Sequence, residues 1–168
     1  MWRHGRKRPA MTESRPILET RGLTMRFGGV VAVDNVDFSM AEGELRCLIG
    51  PNGAGKTTMT NILDGAIKPN SGTVYLNGQR IDQLQPYEVA RAGLGRTFQV
   101  TRSFRRMTVL ENLYVPSLAL NNAANKVELH EKSMDVLEFL TMDHLRNEFA
   151  QALSGGQQKL LELGRLLM

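Results

Sequence analysis

Cysteine, aromatic residues and long apolar runs are all scarce in this sequence. Cys47 is the only cysteine among 168 residues, so no disulfide can form within the chain, which is typical of proteins from a reducing compartment. No apolar run approaches the ~18 residues that a membrane-spanning helix requires. With 42% hydrophobic and 23% charged residues, the composition excludes bulk disorder. The length predicts little more than one globular domain.

Positive charge is in excess only within the first ten residues. Four of the 21 Lys and Arg residues lie in 1–10, where there is no acid, which leaves 17 basic against 17 acidic residues elsewhere. A neutral body does not favour a nucleic-acid partner. Residues 1–10 lack the apolar core of a signal peptide. They could form an arm that attracts phosphate or lipid, but we favour a disordered extension or an over-extended start before Met11.

Short β-rich runs separated by glycine fill the first half of the sequence. The patterns predict strands at 17–20, 24–27, 30–40 and 44–50. The compact run 45–49 has the composition of a buried central strand. A helix is predicted at 56–64 and ends at Gly65. Further along, we expect a hairpin turn at Asn77–Gly78, a short helix from Pro86 to Gly93 and a strand over 93–100.

After residue 100 the pattern becomes helical. Thr108 and Glu111 form a capping box for a helix that Pro116 is expected to end, and 117–125 is a polar linker. Apolar residues mark one face of the next amphipathic helix: Val127, Met134, Leu137 and Leu140. A last helix is predicted from Ser154 onward. We expect five of its leucines to lack packing partners within this chain: Leu160, Leu161, Leu163, Leu166 and Leu167.

Residues 50–57 match the pattern G-x-x-x-x-G-K-[ST] between a predicted strand and a predicted helix. Glycines at this spacing let successive backbone N–H groups approach phosphate oxygens, and the helix directs its positive N-terminus at the same anion. Lys56 supplies a mobile charge for the β- and γ-phosphates, and the Thr57 hydroxyl can complete a Mg²⁺ shell. The sequence therefore predicts a nucleotide-phosphate site formed by Gly50, Pro51, Asn52, Gly53, Ala54, Gly55, Lys56, Thr57 and Thr58.

A second helix start with glycines lies about a hundred residues downstream, in the sequence LSGGQQ (153–158). Ser154 and Gln157 fit a capping box, and the two glycines between them also fit an anion-binding helix N-terminus. One chain rarely uses two such cradles on one triphosphate unless two copies of the chain face each other.

With these motifs in this order, the sequence from about residue 17 onward resembles the ATP-binding-cassette (ABC) ATPase family. GPNGAGKTT is similar to its Walker A loop and LSGGQQ to its signature. The resemblance implies that Gln99 is the Q-loop glutamine, which contacts Mg²⁺ and water, and that Phe27 stacks on adenine. It implies ATP and Mg²⁺ as cofactors and metal contacts from Thr57 and Gln99. The signature residues implied to contact the ATP of a partner subunit are Ser154, Gly155, Gly156 and Gln157.

The fold implied by the resemblance is α/β, a RecA-like P-loop NTPase core with an antiparallel β subdomain and an α-helical signature subdomain. We expect a basic extension at 1–10, the β subdomain and first part of the core at 11–100, the helical subdomain at 101–155 and a truncated signature helix at 156–168. The family's Walker B segment ends in Asp-Glu, a dipeptide that this sequence lacks. We therefore expect an incomplete core, no catalytic residue beyond the Q-loop contact, and no ATP turnover by this chain alone.

Within the family, the stretches GRTFQ, MTVLENL and LLELGRLLM look like ATPase subunits of branched-chain amino-acid importers, to which urea and short-chain amide importers are closely similar. The resemblance implies a peripheral position on the cytoplasmic face of the inner membrane. The implied partners are a second ATPase subunit, membrane permease subunits and, indirectly, a periplasmic solute-binding protein, without nucleic acid. The alternatives are a non-transport ABC-type ATPase and an inactive fragment.

Overall fold

The computed structural model describes residues 15–97, 103–119 and 125–168. They belong to two compact units, which divide between Leu94 and Gly95. The elements of the first unit are β1 (Leu18–Phe27), β2 (Val30–Met40), α1 (Lys56–Leu63), β3 (Ser71–Leu76), β4 (Gln79–Arg80) and α2 (Pro86–Arg91). Those of the second are α3 (Val109–Ala119), α4 (Lys126–Phe139) and α5 (Gly155–Leu167), with short 3₁₀ turns at Asp143–Leu145 and Ala150–Ala152. In the three described ranges, no helix combines the length and the apolar character needed to cross a lipid bilayer.

The first unit is built on a four-stranded antiparallel sheet in the order β2-β1-β3-β4. β1 is one continuous strand, so the two short strands predicted at 17–20 and 24–27 are parts of a single element. The β3–β4 hairpin turns at Asn77 and Gly78, whose φ angles are 50° and 78°, as the Asn-Gly pair predicts. α1 packs on the sheet, and the shared core contains Leu23, Met59, Ile62, Val74, Ile81 and Val89.

The prediction of a buried central strand at 45–49 is wrong for this structure. These residues form no strand, and Leu45 and Ile49 are 93% and 89% exposed. A strand is stabilised by hydrogen bonds to a neighbouring strand. Within the described residues, no strand pairs with 45–49. The strand predicted over 93–100 is likewise absent from 93–97, and its remainder lies outside the described residues.

A buried carboxylate stabilises the chain after β4. Asp82 accepts hydrogen bonds from the backbone N–H of Val74 (3.1 Å), from Arg80 (2.8 and 3.0 Å) and from the Gln83 amide (2.8 Å). Burial alone raises the pKa of Asp82, but these hydrogen bonds and the charge of Arg80 outweigh burial and lower the pKa from 3.8 to about 2. The folded state therefore favours the ionised carboxylate.

We expect ionised Asp82 to stabilise the fold by about 2 kcal/mol above pH 4. This contribution disappears as the pH falls toward 2, because the unfolded chain binds the proton near its ordinary pKa of 3.8. Asp82→Asn is expected to be less stable than the wild type at pH 6, and the difference should shrink by about 2 kcal/mol between pH 5 and 2. Urea unfolding at a series of pH values measures this. A difference that stays constant with pH would contradict it.

The helical unit begins with α3, which starts as predicted and ends later. The Thr108 hydroxyl accepts a hydrogen bond from the backbone N–H of Glu111 (3.1 Å), and the Glu111 carboxylate accepts one from Thr108 (2.7 Å), which confirms the capping box. The prediction that Pro116 ends the helix is wrong, because α3 continues to Ala119. An interior proline costs about 3 kcal/mol, but residues on both sides of Pro116 are packed: Leu113 and Ser117 are buried, and Ser117 donates to the carbonyl oxygen of Met168.

The buried face of α4 is shifted from the predicted one. Of the four predicted residues, Leu137 and Leu140 are buried, Met134 is partly buried and Val127 is 66% exposed. The buried stripe runs instead through Leu129 and Ser133 to Leu137, at the four-residue spacing of a helix face. Ser133 takes a core position because its hydroxyl donates to the carbonyl oxygen of Leu129 (2.7 Å), which satisfies the polar group without water.

The leucines of α5 lie on two sides of the helix. Leu161 is fully buried in a core with Val109, Leu113 and Leu137, which corrects the prediction that it would lack packing partners, because α3 and α4 cover this side of α5. The other four are 39–44% exposed, as predicted: Leu160, Leu163, Leu166 and Leu167.

This difference gives a matched pair of variants. Leu161→Ala is expected to lower the free energy of unfolding of the helical unit by about 2–5 kcal/mol, because it leaves a cavity in a packed core. Leu163→Ala, on the exposed side of the same helix, should cost less than about 1 kcal/mol. Urea unfolding followed by the helical circular-dichroism signal measures both. Equal losses in the two variants would contradict the core assignment.

Candidate nucleotide-phosphate site

Residues 50–58 form a glycine-rich turn that leads directly into α1. The backbone N–H of Ala54 donates to the carbonyl oxygen of Pro51 (3.2 Å), and Gly53 and Gly55 have φ angles of 85° and 77°, a left-handed conformation that side chains disfavour. Gly55 caps α1 without any side-chain hydrogen bond. No capping side chain therefore occupies the first backbone N–H groups of α1, which suits an anion-binding site.

Gly55 is held against the sheet by backbone contact. A Cβ atom built on Gly55 would lie 2.0 Å from the carbonyl oxygen of Ala32 in β2, far inside van der Waals contact. By contrast, a Cβ atom on Gly53 would meet nothing within 4 Å. The two glycines therefore share a left-handed conformation, but only Gly55 is also required by close packing.

Lys56 folds back over the loop that precedes it. Its ammonium group donates to the carbonyl oxygens of Gly50 and Pro51, each at 2.7 Å. The Lys56 charge is therefore held beside Gly50 and Pro51, at the opening of the loop, which we call the loop mouth. Thr57 is exposed in the first turn of α1, where its hydroxyl is accessible to a ligand. The loop residues predicted to bind phosphate therefore lie together, directly before a helix as expected. The strand predicted before them is absent.

The base-stacking residue predicted from the sequence lies in the same unit as the loop. Phe27 is the last residue of β1, pairs with Val30 across the Gly28–Gly29 turn, and is 49% exposed. An aromatic ring half exposed at a hairpin tip is accessible for stacking on a base. Gln99, the predicted Q-loop residue, lies outside the described residues.

The residues predicted to form the signature lie in the helical unit, at the start of α5. The Ser154 hydroxyl accepts a hydrogen bond from the backbone N–H of Gln157 (3.4 Å), and the Gln157 side-chain oxygen accepts one from the backbone N–H of Ser154 (2.9 Å). This confirms the capping box. Gly155 and Gly156 are exposed beside it, so the helix start is open to an approaching ligand.

Sequence reasoning missed Ala32 as part of the site. Its contact with Gly55 joins residues far apart in the chain, and an alanine in a β-rich run carries no signal of such a role. No group of three or more His, Cys, Asp or Glu residues that could hold a metal ion occurs in the described ranges.

Known proteins match both the sequence and the fold. The profile of the ABC transporter family matches residues 33–168. The probable branched-chain amino acid transport ATP-binding protein LivG of Archaeoglobus fulgidus is 39% identical over 162 residues, covering 90% of this chain and 63% of that protein. The high-affinity branched-chain amino acid transport ATP-binding protein BraF of Pseudomonas aeruginosa is 41% identical over 168 residues, covering 92% and 66%.

A solved structure agrees with this match. MJ1267, an ATP-binding cassette of an ABC transporter in its ADP conformation, has a TM-score of 0.81 and 37% identity, covering 92% of this chain and 65% of its own. The fold is that of an ABC ATPase, which confirms the predicted fold class. The chain belongs to the ABC transporter family, and it spans about two thirds of the length of the curated relatives, 63% and 66% in the two cases above.

Proposed function

We propose that this chain binds ATP at residues 50–58 as the ATP-binding subunit of an ABC importer. The observation that carries the proposal is the loop itself: two left-handed glycines, a helix capped without a side chain, and the Lys56 ammonium at the loop mouth. This combination offers backbone N–H donors, a helix dipole and a mobile cation to one polyphosphate.

The other parts of the nucleotide have candidate partners as well. Mg²⁺ takes one or two protein oxygens together with phosphate oxygens, and the exposed Thr57 hydroxyl at the start of α1 fits that requirement. We assign a second metal contact to Gln99. Phe27 is the proposed stacking surface for adenine, since it is a half-exposed aromatic ring in the same unit as the loop.

The transported solute proposed here is a branched-chain amino acid, because the curated relatives carry that activity in their names. The proposed partners are membrane permease subunits, through which the chain would sit peripherally at the cytoplasmic face of the membrane, and a second ATPase subunit. In that dimer, Ser154, Gly155, Gly156 and Gln157 of one subunit would contact the ATP held by the loop of the other. ATP hydrolysis is proposed for an assembly that supplies the acidic pair absent from this sequence.

The nucleotide site is tested by calorimetric titration of the chain with MgATP, with tripolyphosphate and with adenosine. We expect MgATP and tripolyphosphate to compete for one site, because the loop recognises phosphate groups rather than the base. Failure of both to bind, or binding of adenosine alone, would contradict the proposal.

The signature role is tested with Ser154→Arg. We expect the variant to bind MgATP as the wild type does but to lose ATP-dependent dimerisation, because a bulky cation would occupy the space that a partner's γ-phosphate must approach. Light scattering with and without MgATP, in a polypeptide that includes the acidic pair, measures this. The exposed Lys159→Arg on the same helix is the matched control. Dimers of normal affinity from Ser154→Arg would contradict the composite site.

A further inference from the structure

We infer that Ala32 is a positioning residue for the phosphate loop, acting through a β-bulge that aims its carbonyl oxygen at Gly55. The inference rests on the proposed function, since it concerns how the same loop is held in its binding conformation. Nothing in the loop's own sequence specifies this support.

The bulge is visible in the pairing of β1 with β2. Met25 lies opposite Val33, and Arg26 lies opposite Val31. One step along β1 therefore corresponds to two steps along β2, and Ala32 is the extra residue without an opposite partner in the described sheet. Such insertions bend a strand and redirect its groups, and they are common beside functional sites. Here the redirected group is the Ala32 carbonyl.

The contact between this carbonyl and Gly55 is close and consists of backbone on both sides. A Cβ atom on Gly55 would lie 2.0 Å from the Ala32 oxygen and 3.2 Å from its carbonyl carbon. Backbone atoms cannot turn aside as a flexible side chain can. The adjacent Val33 is buried in the core of the sheet, so the bulge is anchored on its inner side.

The loop also borders a cavity beside this contact. Ala54, Gly55 and Lys56 border a cavity of about 430 Å³ that Ala32 also lines. With a cavity on this side, the loop is not fixed there by packed side chains. The Ala32 carbonyl thus limits how far Gly55 can move toward the sheet. The position of Gly55 in turn affects the start of α1, because the Gly55 carbonyl oxygen accepts a hydrogen bond from the backbone N–H of Met59 (2.8 Å).

The contact predicts a dependence that a double-mutant cycle can measure. Gly55→Ala and Gly53→Ala both place a side chain at a left-handed φ, but only the first meets the Ala32 carbonyl. We expect Gly55→Ala to weaken tripolyphosphate binding at least about tenfold more than Gly53→Ala does. Deletion of Ala32, which restores regular pairing, should reduce that extra loss to less than about threefold. Deletion of Ala32 alone should weaken binding about tenfold, because the loop loses its support.

The outcomes separate this inference from the proposed function. Absence of tripolyphosphate binding by the wild type would contradict the proposed function and, with it, the inference. A different result would overturn the inference alone: the wild type binds tripolyphosphate, but deletion of Ala32 leaves the ratio of the affinities of Gly53→Ala and Gly55→Ala unchanged. Hydrogen exchange gives a test without the deletion: the Met59 amide should exchange faster in Gly55→Ala and at the wild-type rate in Gly53→Ala. Equal exchange in both variants would overturn the inference.

Discussion

Gly55→Ala is expected to lower the affinity for MgATP by at least about a hundredfold. A left-handed conformation costs an alanine about 1–2 kcal/mol, and forcing a methyl group into packed backbone adds about 1–3 kcal/mol. Both effects raise the free energy of the loop conformation seen here, in which the Cβ atom would lie 2.0 Å from the Ala32 carbonyl oxygen. The loop would then leave this conformation for others, and a smaller population of the binding form lowers the apparent affinity.

Gly53→Ala is the control for this variant. Its Cβ atom would meet nothing within 4 Å, so only the conformational cost applies and the loss should be near tenfold. Titration calorimetry with MgATP measures both variants. Equal affinities for Gly55→Ala and the wild type would show that the loop does not bind nucleotide in the conformation described here.

Lys56→Ala is expected to lower the affinity for MgATP at least about tenfold while leaving adenosine binding nearly unchanged. The ammonium group faces the loop mouth, where it contacts the carbonyl oxygens of Gly50 and Pro51 at 2.7 Å. From there it can exchange these neutral acceptors for phosphate oxygens, and charge-assisted hydrogen bonds of that kind contribute about 1.5–3 kcal/mol each. Competition titrations with the two ligands distinguish a lost phosphate contact from a disturbed fold. A parallel loss for adenosine would indicate the latter.

The local parts of the site were predictable from sequence because their geometry is encoded locally. Gly53, Gly55 and Lys56 lie within a few residues of one another, and the start of α1 follows from the same stretch. The Ser154–Gln157 capping box is local in the same sense. Glycine conformation and helix capping depend on immediate neighbours, so a pattern search captures them.

The parts that sequence reasoning missed depend on contacts between distant residues. The run 45–49 has strand composition, yet a strand forms only where another strand pairs with it, and none does so in the described structure. Leu161 was indistinguishable from its exposed neighbours until α3 and α4 were placed against one side of α5. Ala32 is the sharpest case, because a one-residue bulge depends on the register between two strands and composition does not reveal register.

The most direct test of the central claim is the response of individual backbone amides to phosphate. In ¹H–¹⁵N spectra of the labelled chain titrated with tripolyphosphate, we expect the largest shifts at the amides of Gly53, Gly55, Lys56 and Thr57, which are the donors that the loop and the start of α1 present. The amides of β3 and β4, elsewhere in the same unit, should shift little. Shifts confined to residues outside 50–58, or no saturable shift at all, would contradict the assignment of this loop as the nucleotide site.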